Sequence, residues 1–304
     1  NSTVSSLAPK KYSVKVVKEG FIPWEREVEV KEGLVTPLKI TLFPAIPTIY
    51  PLTFSSVANP LLSPDGSKLS FIVPSGKKAG IWVWTMSKNQ PIAFARSSEP
   101  HQIAQTGVVD YSNATLRFSP DSKQVLATVG KNNYILNVDT LNSEPRDITA
   151  LLDSTLKTWE DDSKAKDVAR IEAIKDLNTR KLASSSAILR FSPDETKFMY
   201  AEAGSQKTDD SLQFKVHDLE TSKQYDLPSG IAHLWLPDSR HIILVEEDSI
   251  SIIDFDGTNK AVIYAGKFEN SFVFPWPDSS RLVIVSSFPT PTASEPNLYG
   301  INLR

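Results

Sequence analysis

The sequence predicts an all-β chain made of repeated strand units, and three observations carry that expectation. A Pro-Asp pair occurs five times, as Pro64-Asp65, Pro120-Asp121, Pro193-Asp194, Pro237-Asp238 and Pro277-Asp278. Four residues after each aspartate stands an apolar side chain (Leu69, Val125, Phe198, Ile242, Leu282), and two further on another (Phe71, Ala127, Tyr200, Leu244, Ile284). That is the period-two signature of a strand repeated at one offset. Further strand-like segments then follow each copy. Four strands per unit, with units about 40 residues apart, is the arithmetic of a β-propeller.

The chain divides at Phe43-Pro44-Ala45-Ile46-Pro47. Two prolines fix φ and restrain the residues before them, so this is a stiff connector. Before it, Tyr12 to Val17, Glu27 to Val30 and Leu38 to Leu42 alternate like half-buried strands, with Gly20 and Gly33 at the turns between them. Three strands bury little, so this unit needs more sequence or a neighbour to dock on. Trp24 is expected to pack locally within it.

Lys11-Tyr12-Ser13-Val14-Lys15-Val16, then Lys18-Glu19-Gly20-Phe21 and Pro23-Trp24-Glu25, resembles the second half of a PEGA domain. Val30-Lys31-Glu32-Gly33 and Ile40-Thr41-Leu42-Phe43-Pro44 continue the likeness. The resemblance implies a small β module of envelope or surface proteins over residues 1–46. The first half of the family pattern does not precede Asn1, so a trimmed chain with an anchor further upstream is the expectation.

The propeller is expected over residues 47–304. Leu62, Phe118, Phe191 and Trp235 end the incoming strands, and in the fifth copy Phe274 and Trp276 take that place. Proline presets φ, and aspartate bonds its own downstream backbone. Asp65, Asp121, Asp194, Asp238 and Asp278 are therefore read as turn formers, not as catalytic acids or metal ligands. Third strands follow at Ile81 to Trp84, Tyr134 to Val138, Leu212 to Val216, Ser249 to Ile253 and Leu298 to Leu303. The fifth unit lacks a fourth strand of its own. Residues 48–54 have no other assignment and are expected to supply it, closing a ring of five blades and sparing it an open edge.

Successive aspartates of the turns stand 56, 73, 44 and 40 residues apart. The first excess lies in a polar loop around Ser97 to Ser112. The second is larger and changes character: Leu152, Leu156 and Trp159 recur at helical spacing, as do Val168, Ile171, Ile174 and Leu177. This predicts an α-helical insertion over about 150–184, two short helices projecting between the second and third blades. No repeat demands Trp159. With Leu156, Ile171 and Ile174 it either packs the insertion onto the propeller or forms the candidate interaction surface for a partner. Trp82, Trp84, Trp235 and Trp276 lie in repeat strands and are accounted for by burial between blades.

Phe118-Ser119-Pro120-Asp121, Phe191-Ser192-Pro193-Asp194 and Leu62-Ser63-Pro64-Asp65-Gly66 resemble the repeats of TolB-like propellers, relatives of the WD-repeat proteins. The later copies drift, with Leu236 and Trp276 where serine is usual. The motif speaks for fold and hardly for function.

Composition narrows the function. With 33 basic and 36 acidic residues there is no field to gather nucleic acid, and without cysteine there is no disulfide, thiol or Cys-zinc chemistry. No run reaches the ~18 apolar residues of a membrane helix, so membrane association would come only through sequence upstream of Asn1. Asn1 and Asn113 open glycosylation triplets. No Gly-x-Ser-x-Gly elbow occurs, and Pro74-Ser75-Gly76-Lys77-Lys78 lacks the ends of a phosphate loop. His101, His217, His233 and His241 form no ligand pair; His241 stands where other copies have Lys, Gln or Arg and is read as solvent-facing. Asp254-Phe255-Asp256-Gly257 is read as a strand-end turn, since the other ligands of a calcium loop do not follow. No cofactor is implied.

The pairing of the two resemblances implies a non-catalytic, extracytoplasmic scaffold. Its propeller would present a rigid face to protein or glycan partners. Two other classes stay open: a self-associating subunit of a surface layer or filament, and an enzyme or enzyme accessory using the propeller's central channel.

Overall fold

The computed structural model describes residues 3–86, 99–202, 213–269, 272–288 and 295–304. Asn1, the start of the loop expected from Ser97 and the first residue of the strand expected from Leu212 lie outside the described residues. The chain opens with an antiparallel hairpin of β1 (Lys10–Val16) and β2 (Trp24–Val30). The third strand expected over Leu38 to Leu42 does not form. Its backbone is held instead by Arg240 from the repeats and, just beyond, by Ile22 N–H on Phe43 O at 2.8 Å and Ala45 N–H on Gly20 O at 2.9 Å. Tertiary partners outweigh an alternating pattern here.

Next comes β3 (Ile49–Pro51). Sheet I follows as β4 (Ala58–Leu62), β5 (Lys68–Val73), β6 (Gly80–Thr85) and β7 (His101–Gln105). Sheet II is β8 (Thr115–Phe118), β9 (Gln124–Val129), β10 (Asn132–Asn137) and β11 (Arg146–Asp147). Then come α1 (Leu152–Glu172) and α2 (Leu177–Ser185). Sheet III is β12 (Ser186–Phe191), β13 (Lys197–Glu202), β14 (Phe214–Asp218) and β15 (Lys223–Asp226). Sheet IV is β16 (Ala232–Trp235), β17 (His241–Val245), β18 (Ser249–Asp254) and β19 (Ala261–Ala265). Sheet V has β20 (Val273–Pro275), β21 (Arg281–Ser286) and β22 (Asn297–Asn302), and its fourth strand is β3. Tyr50 stands opposite Gly300, so the segment before the first repeat does complete the last sheet.

All five Pro-Asp turns are built alike. The residue two before the aspartate donates its N–H to the carbonyl three after it, at 2.8 to 2.9 Å, as in Ser63 to Lys68 and Trp276 to Arg281. The aspartate Oδ1 accepts the N–H two residues on, at 3.0 Å for Asp65, Asp194 and Asp238, 3.1 Å for Asp121 and 2.8 Å for Asp278. The residue between them has positive φ: Gly66, Ser122, Glu195, Ser239 and Ser279. Aspartate supplies the local acceptor that such a turn needs.

The sheets pack face to face through apolar clusters. Ile72 and Ile81 of sheet I meet Val125 and Leu136 of sheet II. Met199 and Val216 of sheet III meet Ile242 and Ile253 of sheet IV. Ile243 and Ile252 of sheet IV meet Leu282 and Ile284 of sheet V. Phe71 and Trp84 of sheet I meet Val283 and Trp276 of sheet V, with the two indoles edge to face at 5.4 Å. Between sheets II and III the helices intervene. Trp159 of α1 packs on Leu126 and Ile148 beside sheet II, while Ile174 and Ala183 pack on Phe198 and Tyr200 of sheet III. Among the described residues no apolar cluster joins sheet II directly to sheet III. The insertion is thus a wedge and not a projection, and its first helix is long, at 21 residues.

Candidate functional site

The interaction surface expected on the insertion is not an open one. Trp159 is 7% exposed and Ile174 5%, both spent on packing, while Leu156 and Ile171 are half-buried against the same two clusters. The two ends of α1 are fixed and the stretch between is exposed throughout, from Glu160 to Arg170. Such an exposed, charge-rich helix segment bridges between two anchorages. Lys166 Nζ donates to Pro120 O at 2.9 Å, and Arg170 pairs with Glu195 at 2.8 Å, so the bridge runs from the turn of sheet II to the turn of sheet III. His217 belongs to this wedge too: it stacks on Phe198 at 5.2 Å and meets Thr179 of α2 at 3.4 Å. Burial lowers its pKa from the usual imidazole value. His101 and His233 bond backbone carbonyls, Val138 O and Pro228 O, each at 2.8 Å. Asn113 is exposed.

The richest cluster of chemistry lies where the N-terminal hairpin meets sheet IV. His241 opens β17 directly opposite Asp254 at the end of β18. It does not face solvent: only 3% of it is exposed. Both faces of this sheet are covered, so the polar-looking alternate position is an interior one, as it is for Lys197 and Arg281 in the neighbouring copies. The His241 Nδ1 lies 2.6 Å from Asp238 Oδ2, and its Nε2 lies 3.3 Å from Asp254 Oδ1. Phe43 closes over the ring edge to face at 5.1 Å.

Asp254 gathers the hairpin. Its Oδ2 accepts from Trp24 Nε1 at 3.0 Å, Arg26 Nη2 at 2.9 Å and Asn259 Nδ2 at 2.9 Å. The same Arg26 nitrogen reaches Asp256 Oδ2 at 2.6 Å, and Glu25 N–H donates to Asn259 Oδ1 at 3.0 Å. Trp24 therefore reaches beyond its own hairpin onto the repeats. The 254–257 segment is a turn, with Gly257 N–H on Asp254 O at 2.9 Å, but its first carboxylate is also the pivot of the joint. Gly257 has φ +81°, and a Cβ there would sit 2.6 Å from Asp226 O, so glycine is required. Arg240 finishes the contact, donating to Lys39 O at 2.8 Å and Thr41 Oγ1 at 3.2 Å. A cavity of about 240 Å³ opens beside these groups, walled by Trp24, Arg26, Leu38, Ile40 and Phe255.

The electrostatics follow from burial and pairing. Burial opposes charge on His241, but hydrogen bonds to Asp238 and Asp254 outweigh it and hold its pKa above the usual imidazole value. Burial pushes both carboxyls up, and the bonds they accept, from His241 first, leave Asp238 and Asp254 below the usual carboxylate range. No group of three or more His, Cys, Asp or Glu among the described residues has the arrangement of a metal site. The contacts seen at this site are charge pairs and directional hydrogen bonds. No local pattern in the sequence marks it, because Trp24 and Asp254 stand 230 positions apart. The one available signal is His241 itself, an imidazole at a position that is otherwise Lys, Gln or Arg.

Residues 1–46 match the PEGA domain family. No curated protein matches the chain. Among solved structures, the putative TolB of Agrobacterium tumefaciens is similar at 18% identity and TM-score 0.29, over 78% of this chain and 76% of that one. TolB of Acinetobacter baumannii gives 14% identity and TM-score 0.29, over 82% of this chain and 54% of that one. A eukaryotic initiation factor gives 16% and 0.27, over 83% and 57%. No helix of the described residues is long and apolar enough to cross a membrane.

Proposed function

We propose that this chain is a non-catalytic scaffold of the cell envelope or cell surface, in which a PEGA-like module over residues 1–46 holds a five-bladed propeller over 47–304 in a fixed attitude toward protein or glycan partners. The observation that carries the reading is the joint: Trp24 and Arg26 of the hairpin share the carboxylate of Asp254 with His241. A module tied by buried, directional bonds fixes orientation, whereas a flexible linker would leave it free. The match of residues 1–46 to the PEGA family supports the envelope. Apolar clusters linking sheets I to II, III to IV, IV to V and V to I, with the helical wedge between II and III, support a closed ring.

Two measurements test this. Surface labelling of intact source cells with an antibody to the repeats, compared with permeabilised cells, should detect the protein outside the cytoplasm; a wholly cytoplasmic pool would overturn the location. Deleting residues 48–54 strips sheet V of β3 and should lower the melting temperature by well over 5 °C, on the order of 2–4 °C for each kcal/mol lost. An unchanged melt would overturn ring closure through that strand.

A further inference from the structure

The joint holds a proton that its geometry requires. A neutral imidazole carries one N–H and one lone pair. Both nitrogens of His241 face carboxylate oxygens, at 2.6 Å and 3.3 Å, so a neutral ring would set a lone pair against one anion. Only the imidazolium satisfies both contacts. The charged groups around it are Asp238 and Arg240 from the turn before β17, Asp254 and Asp256 from the end of β18, and Arg26 from β2; Phe43 adds an uncharged ring. With His241 protonated this set is neutral, three anions against three cations. Without that proton it is a partly buried cluster with one anion in excess, and Asp254, the same carboxylate that Trp24 and Arg26 hold, loses a donor.

We propose that His241 makes the joint a pH-responsive clasp: the hairpin is held on sheet IV while the ring carries both protons and is loosened when one leaves. The sign follows from linkage. A histidine whose folded pKa is raised contributes fully below its unfolded value, about 6.5, and the contribution is lost as pH rises through the folded value. The lowered Asp238 and Asp254 contribute above about 3.9 and lose their effect as pH falls below it. The clasp is therefore tightest in mildly acid solution and opens on the alkaline side. An undocked two-stranded hairpin is marginal in water, so loosening should also unravel β1 and β2.

Two measurements on the whole chain decide the matter. In an NMR titration the His241 ring should keep its second proton past the ordinary imidazole midpoint, and Asp238→Asn, which retains the turn acceptor but removes one anion, should shift that midpoint down. In hydrogen exchange, corrected for the intrinsic pH dependence, protection of Glu25–Val30 should fall several-fold between pH 5.5 and pH 8.5 while Ile242–Val245 stays protected. His241→Asn should give weak, pH-independent protection of the hairpin. A wild-type midpoint at or below the ordinary value would overturn the proposal. So would a pH-dependent loss that survives in His241→Asn. Should that variant not fold, the wild-type and Asp238→Asn titrations decide alone.

Discussion

The N-terminal hairpin and the helical insertion are both attached to the same repeated sheets, and the balance of contacts that holds them differs. It is mostly apolar at the insertion, with Lys166 and Arg170 adding polar ties, and mostly polar at the hairpin, with Phe43 and Ile22 adding apolar packing. The insertion is anchored by apolar side chains: Trp159 against Leu126 and Ile148, Ile174 against Phe198 and Tyr200. The hairpin is anchored by directional polar contacts, with Trp24, Arg26, Asn259 and His241 converging on Asp254. Apolar anchorage carries no titrating group and is not screened by salt. A buried ion cluster fixes geometry but is sensitive to the loss of any one member. The wedge therefore bears chiefly on stability, and the joint bears on the orientation proposed above.

The largest expected effect breaks the apolar side of this contrast. Trp159→Ala removes a buried indole from between α1 and sheet II and should cost about 3–5 kcal/mol, as Trp truncations in packed sites do. Melting at low and high salt should show the same loss, because nothing charged is removed. A loss under about 1 kcal/mol would mean that the insertion is held elsewhere and that the contrast is misdrawn.

Asp254→Asn breaks the polar side. It leaves a hydrogen-bond acceptor but removes the anion that Arg26 and His241 share. Breaking a buried ion pair costs about 3–5 kcal/mol, and with Arg26 partly exposed about 2–3 kcal/mol is the reasonable share here. The cost should fall on the joint and not on the repeated sheets. Hydrogen exchange should rise in Trp24–Val30 while β17 and β21 keep their protection. Equal deprotection of the sheets would show that hairpin and repeats unfold as one unit.

These two attachments also mark what was legible in the sequence. Leu152, Leu156 and Trp159 announce a helix by spacing alone, and the five aspartates announce their turns by Pro-Asp chemistry. Ile49–Pro51 could be placed in sheet V because the fifth repeat lacks a fourth strand of its own and this segment has no other assignment. The joint could not be found that way. Its members come from residues 24–26, 238–241 and 254–259, and no period links them. His241 reads as solvent-facing in the sequence and is 3% exposed in the structure, because alternation implies a solvent face only when one side of a sheet is free, and here neighbouring sheets cover both. The Leu38–Leu42 segment alternates like a strand, yet Arg240 takes its backbone acceptor at Lys39.

The smallest effects separate the seams between sheets. Where sheet III meets sheet IV, Ser239 Oγ accepts from Asp194 N–H at 3.0 Å, and Ser122 makes the matching contact to Asp65 at 3.3 Å between sheets I and II. At the wedge the equivalent position is Glu195, which reaches out to Arg170 on α1 instead. Ser239 is buried, so Ser239→Ala leaves an amide without its acceptor and should cost about 1 kcal/mol at any salt concentration. Arg170 and Glu195 are both largely exposed, so Arg170→Ala should cost less than about 1 kcal/mol, and 0.5 M salt should erase the difference. Chemical denaturation of both variants at two salt concentrations reads the comparison directly. If Arg170→Ala proved the costlier and resisted salt, the ion pair and not Trp159 would be what locks the wedge between sheets II and III.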